Sequence, residues 1–254
     1  MQNKGQTGLI VFFLILVFII LVILVVALIA SPSFTGRVVS VTFEDSGMIS
    51  QTYNAGDFTK IRIEGKANLF LTQDPKTSVK IEAEENVMKL IELRQEGETL
   101  IIGNKELLFL IRKPINIYIS TPNINEVSIA GTGSLQGQNK INGDSLSIII
   151  SGFADVNLDL DVNSLETRIS GSGDLNYGGK AENHKISISG EGDVRSFELE
   201  TYNTEVSIAG AGTAEVSASQ NLDIKIAGSG SIVYMGDPSL SQSISGSGNI
   251  KKLV

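Results

Sequence analysis

Through the second half of the chain, apolar and polar residues alternate in short runs that end on isoleucine and give way to a glycine-bearing turn. Thr167-Arg-Ile169, Ile186-Ser-Ile188, Val206-Ser-Ile208 and Ile224-Lys-Ile226 show the pattern. A period of two predicts strands with one buried face. The turn itself recurs as Ile129-Ala-Gly-Thr-Gly-Ser-Leu135, Ile150-Ser-Gly-Phe-Ala-Asp-Val156, Ile169-Ser-Gly-Ser-Gly-Asp-Leu175 and Ile188-Ser-Gly-Glu-Gly-Asp-Val194. Ile208-Ala-Gly-Ala-Gly-Thr-Ala214, Ile226-Ala-Gly-Ser-Gly-Ser-Ile232 and Ile244-Ser-Gly-Ser-Gly-Asn-Ile250 follow. First glycines at 131, 152, 171, 190, 210, 228 and 246 are separated by 21, 19, 19, 20, 18 and 18 residues.

That interval is the length of one coil of a solenoid. Helical repeats are a poor fit, because Gly-x-Gly in every unit would interrupt each helix at about 1 kcal/mol per glycine. Stacked coils would align Ile129, Ile150, Ile169, Ile188, Ile208, Ile226 and Ile244 in one interior column. Leu135, Val156, Leu175, Val194, Ala214, Ile232 and Ile250 would form a second. One strand-and-turn unit cannot bury its own apolar face, so neighbouring coils must supply the core. Gly131, Gly133, Gly152, Gly171, Gly173, Gly190, Gly192, Gly210, Gly212, Gly228, Gly230, Gly246 and Gly248 are then structural, turning the corner through positive φ or close backbone approach. The expected class is all-β: a parallel β-helix-like solenoid with an N-terminal transmembrane helix.

Upstream, Ile61 and Ile63, Leu69 and Leu71, Val79 to Ala83, Leu100 to Ile102, Leu107 to Ile111 and Ile115 to Ile119 predict further strands. Glu84 to Arg94 fits either period and is read as strand. Ile63-Glu-Gly-Lys-Ala-Asn-Leu69 has the outline of the later phrase and reads as a degenerate first copy. Residues 53–250 are therefore expected to be one solenoid domain, with 251–254 a short tail; a separate N-terminal domain is the alternative.

Leu9 to Ala30 is a run of 22 uncharged residues. As a helix it would be about 33 Å long, enough for a hydrocarbon core of about 30 Å. It is too long for the apolar region of a signal peptide, and Leu28 and Ile29 stand where cleavage near Ala30 needs a small residue. An uncleaved anchor is expected over 9–30, between a cytoplasmic tail at 1–8 and a linker at 31–52. Lys4 and the α-amine, with no acid beside them, place the N-terminus in the cytoplasm and the remainder outside.

With no cysteine, neither a disulfide framework nor a thiolate metal site is available. A net charge of −8 gives no basic face for polyanions, so nucleic acid is not an expected partner.

The repeated Ile-Ser/Ala-Gly-Ser-Gly phrase, the Ile61 to Leu71 segment and the closing stretch Gly236 to Leu253 resemble the putative auto-transporter adhesin head GIN domain family. The resemblance covers about residues 53–253. It implies an exported or lipid-anchored parallel β-helix-like solenoid, and adhesion only through the family's name. It carries over no catalytic residue.

Gly-x-Gly can form an anion nest, but no helix or lysine of a nucleotide fingerprint follows any copy. The position after the second glycine reads Ser134, Asp155, Asp174, Asp193, Thr213, Ser231 and Asn249. Each can cap its turn. Asp155, Asp174 and Asp193, stacked about 4.8 Å apart, would repel one another, and a shared Ca²⁺ would relieve that. Asp159, Asp161 and Asp174 are the carboxylates available for polysaccharide cleavage, which needs a pair at defined separation. His184, within Ala181-Glu-Asn-His-Lys, is expected on the surface and not as a base. The function expected is a non-catalytic binding or adhesive module for an envelope glycan or protein. A purely structural envelope role and a β-helix enzyme are the alternatives. The last coil should expose backbone and apolar cross-section, so self-association through that end is expected.

Overall fold

The structure is a computed structural model and describes residues 34–35, 37–43, 47–103 and 113–253. The chain divides into two units, Met1–Phe34 and Thr35–Val254, and the solenoid belongs to the second. The expected tail at 1–8, transmembrane helix at 9–30 and strand Leu107 to Ile111 lie outside the described residues. Among those described, no helix is long and apolar enough to cross a membrane.

The strands in chain order are β1 (Phe34–Thr35), β2 (Arg37–Phe43), β3 (Met48–Asn54), β4 (Lys60–Gln73) and β5 (Ser78–Glu84), then helix α1 (Glu85–Met88). There follow β6 (Glu92–Glu96), β7 (Thr99–Gly103), β8 (Asn116–Thr121), β9 (Glu126–Gly137), β10 (Ile141–Ile150), β11 (Phe153–Ile169), β12 (Ser172–Ile188) and β13 (Glu191–Ile208). The last coils comprise β14 (Thr213–Ser217), β15 (Asn221–Ile226), β16 (Ser231–Met235), β17 (Ser239–Ile244) and β18 (Asn249–Lys252).

From β9 onward every pairing is parallel and joins one coil to the next. Ile129, Ile150, Ile169 and Ile188 are register partners in succession, and Ile208, Ile226 and Ile244 continue the column. Leu135, Val156, Leu175, Val194, Ala214, Ile232 and Ile250 align in the same way. Both columns are buried except at their C-terminal members, and they form the solenoid core with the alternate residues of each strand. The degenerate phrase is in register too: Ile63 pairs with Ile129, Gly65 with Gly131 and Leu69 with Leu135.

The corner explains its glycines. The hydrogen-bond ladder does not break there: Ser189 N–H donates to the Ile169 carbonyl at 2.8 Å, and Glu191 N–H to the Gly171 carbonyl at 3.1 Å. To accept that bond, the Gly171 carbonyl stands beneath Gly190, and a Cβ on Gly190 would lie 2.0 Å from its oxygen. At Gly190 close approach of coil on coil, not positive φ, is the reason, whereas Gly65 and Gly246 of the same column also take positive φ, 115° and 130°.

The N-terminal part departs from a plain parallel coil. β4 is held between β9 and a coil that comes later in the chain, with β7 parallel to its first half and β8 to its second. Antiparallel strands then close that end: β6 on β7 over one face, and β5 on β8, β3 on β5 and β2 on β3 over the other. Glu84 to Arg94, expected as strand, is instead α1 followed by β6. It crosses the end of the stack from one face to the other and buries Val87, Met88 and Leu93 there. Met48–Asn54, expected largely within a linker, is a strand with Ile49 and Tyr53 in the core.

His184 corrects another expectation. It is 1% exposed, in an inward column between Leu165 and Thr204. Its ring meets Tyr177 edge-on at 5.8 Å, and Nε2 lies 3.3 Å from Thr167 Oγ1, while Nδ1 has no partner. The Thr167 hydroxyl donates to Tyr177 Oη at 3.4 Å and so links the two buried rings. Burial pushes His184 down to about 3 and raises Tyr177.

Candidate functional site

At the bend opposite the glycine corner, β11, β12 and β13 run through without interruption, and two successive residues point outward on each. Ser164, Asn183, Asn203 and Asn221 are register partners along this edge. Asn203 Nδ2 donates to Asn183 Oδ1 at 3.0 Å, and Asn221 Nδ2 to Asn203 Oδ1 at 2.7 Å. Asn163 Nδ2 reaches Asp144 Oδ1 at 3.0 Å. The ladder of amides gives the bend a fixed outline.

Beside it lies a groove of about 410 Å³. Val162, Ala181 and Thr201, register partners in adjacent coils, form a floor of small side chains. Asp161, Lys180 and Glu200, also partners, make one wall, and Asn163, Glu182 and Tyr202 the other. The polar atoms at the floor are internally satisfied. Thr201 Oγ1 shares a 2.7 Å bond with Thr204 Oγ1 and donates to the Ser217 carbonyl, while Ser219 Oγ donates to the Thr201 carbonyl at 3.0 Å. The walls are therefore what a ligand would meet. Lys180 lies 3.7 Å from Glu200, and Tyr202 is 53% exposed. A smaller hollow sits over the bulge between Asn176 and Gly178, against Arg195 and Phe197, but Arg195 is engaged elsewhere.

The structure stacks Asp155, Asp174 and Asp193 in register with Ser134 and Thr213. Arg195, two residues beyond Asp193 on the same outer face, donates from Nη1 to Asp174 Oδ1 at 2.9 Å and approaches Asp193 Oδ2 at 3.6 Å. A guanidinium thus supplies the positive charge that a shared cation would bring. Among the described residues, no three acidic or histidine side chains converge as a metal site. Calcium is tested by melting with the ion and with chelator. Arg195→Ala should cost under about 1 kcal/mol, as expected of an exposed pair, and a rise in its melting temperature with calcium is what the shared-cation reading requires.

Of the other carboxylates considered for catalysis, Asp159 and Asp161 share the outer face of β11 and Asp174 lies on the next strand. Asp159 pairs with Lys140 at 3.5 Å, Asp161 faces the groove, and Asp174 is held by Arg195 near the opposite corner. Sequence reasoning finds Asp161 only as an acid, and misses Glu182 and Tyr202.

The sequence model of the family described as Putative auto-transporter adhesin, head GIN domain, matches residues 57–238. Among solved structures, a putative adhesin from Bacteroides fragilis is 28% identical with a TM-score of 0.75, covering 81% of this chain and 97% of its own. A putative lipid binding protein from Parabacteroides distasonis (21%, TM-score 0.62, covering 83% and 98%) and a putative adhesin from Parabacteroides merdae (19%, 0.60, 83% and 98%) share the fold. No curated protein matches the chain.

Proposed function

From the premise that this chain belongs to the putative auto-transporter adhesin head GIN domain family, we propose that it is a non-catalytic adhesion or binding module. Residues 9–30 hold it to a membrane, and its solenoid faces an envelope glycan or protein outside. The observation that carries this reading is the groove across successive coils, with charged, amide and aromatic side chains on its walls and a floor that needs no partner. Rigid, laddered faces suit recognition because little order is lost on binding. The pairing of Asp159 with Lys140 and of Asp174 with Arg195, and the burial of His184, favour binding over polysaccharide cleavage. Retention of the chain on isolated envelope polymer or envelope protein tests the proposal. No retention on either would leave the purely structural role.

A specific observation favours self-association as part of this reading. The N-terminal end of the stack is covered by antiparallel strands, whereas β17 is exposed along its length, with Leu240 at 39% and Ile244 at 43%. A closed end excludes head-to-tail stacking, so a second copy would meet tail to tail across a two-fold axis. Antiparallel pairing of β17 with itself about Gln242 sets Leu240 opposite Ile244, and Ser241 opposite Ser243. Light scattering over a concentration series should find a dimer that Leu240→Glu with Ile244→Glu converts to monomer. A monomer at all concentrations would remove it.

A further inference from the structure

We infer that the groove over Val162, Ala181 and Thr201 is a subsite for a neutral saccharide chain lying along the solenoid axis, with Tyr202 as the stacking platform. The inference deepens the binding-module reading and rests on it.

Four kinds of ligand can be compared with what the walls offer. Asp161, Glu182 and Glu200 against Lys180 give the groove a net charge of −2 (three carboxylates, one ammonium), which disfavours phosphate, uronate or any other anion. An extended peptide binds a sheet by adding a strand. Here the backbone of β12 is already paired to β11 and β13 on its two sides, so no edge is free. An acyl chain needs an apolar trench. The floor offers only Val162, Ala181 and the methyl of Thr201, enclosed by charged and amide side chains. A polyhydroxylated, uncharged chain fits what remains. Vicinal hydroxyls can donate to Asp161 and Glu182 and bond with the Asn163 amide, and the C–H face of a pyranose lies against an aromatic ring.

The arrangement across coils gives direction. The two walls repeat about every 4.8 Å along the axis, so one coil after another presents a polar side chain on each side of the floor. Tyr202 stands on β13 at the far wall and is the large aromatic exposed there. Tyrosine supplies broad contact area with only two side-chain torsions to fix. The Lys180–Glu200 pair is open to solvent and can part to meet hydroxyl groups without leaving a buried charge.

The experiment uses the full chain in a polyoxyethylene detergent, which carries no sugar head group to compete. It is applied to an array of short neutral hexose and N-acetylhexosamine oligomers alongside uronate, sialylated and phosphorylated ones. A neutral oligomer that binds is then titrated against variants. Tyr202→Ala is expected to weaken binding at least ten-fold, Tyr202→Phe to retain it, and Glu182→Gln with Asp161→Asn to weaken it several-fold, with melting temperatures unchanged in all. Binding only to the acidic oligomers, binding that Tyr202→Ala leaves intact, or no neutral binder at all would overturn the subsite. The parent reading is scored separately by retention of Tyr202→Ala on isolated envelope. If the variant is retained like the unaltered chain, binding elsewhere on the solenoid stands and only this groove is lost. If neither is retained, both readings fall.

Discussion

Gly190→Ala should lower stability by about 3–5 kcal/mol, a fall in Tm of roughly 10 °C or more. The added Cβ would lie 2.0 Å from the Gly171 carbonyl oxygen and 3.0 Å from its carbon, and both are backbone atoms that cannot rotate away. Relief requires the coils to part, and parting stretches the bonds from Ser189 to Ile169 and from Glu191 to Gly171. The disturbance cannot be absorbed on one side only. Gly210 stands over the Gly190 carbonyl in turn, with its own Cβ position 2.3 Å from that oxygen. Gly143→Ala is the control. It lies in a strand with nothing within 4 Å of the new methyl, and should change stability by less than about 0.5 kcal/mol. Thermal and denaturant melts of the two variants decide the matter; equal effects would remove close coil approach as the reason for the glycines.

The second large effect is a dependence on acid. His184 is neutral in the folded chain, and burial holds it at about 3, against an ordinary value of 6.5 when unfolded. Below about pH 6.5 the unfolded chain takes up a proton that the folded chain refuses. Stability is therefore full above that point and declines as pH falls toward about 3, by roughly 1.4 kcal/mol per pH unit. Between pH 7.5 and pH 5 the loss from this residue is about 2 kcal/mol. His184→Leu puts a leucine in a column that already holds Leu165 and Leu222. It should change little at pH 7.5 and remove that part of the decline. Denaturant melts at the two pH values measure it, and an unaltered slope in the variant would show that other groups govern acid sensitivity.

The burial of His184 is within reach of a strict reading of the sequence. Counting back from Ile188 through Ile186 in steps of two puts position 184 inside the coil, yet Glu182, Asn183 and Lys185 around it suggest a surface. Tyr202 and the groove are not within reach. Their construction depends on Ala181 aligning with Thr201, and the bulge between Asn176 and Gly178 shifts that register from 19 residues to 20 midway along the strand. Interval counting at the glycines does not locate such a shift. Arg195 shows a related limit. Its place beside Asp193 is plain in the sequence, but its reach to Asp174 on the coil below depends on a side-chain direction that only packing fixes.

The amino-acid sequence by itself determined the repeat, the two apolar columns and the corner glycines, because each is a local pattern that returns once per coil and needs only stacking to become a core. Tertiary structure alone decided that a later segment would lie beneath β4, that antiparallel strands and α1 would close one end while β17 stays open, and that a histidine would be sealed inside. The physical reason is range. Periodicity is written in neighbouring residues, whereas the order of coils, the cover of an end and the burial of a polar ring are settled by contacts between segments far apart in the chain.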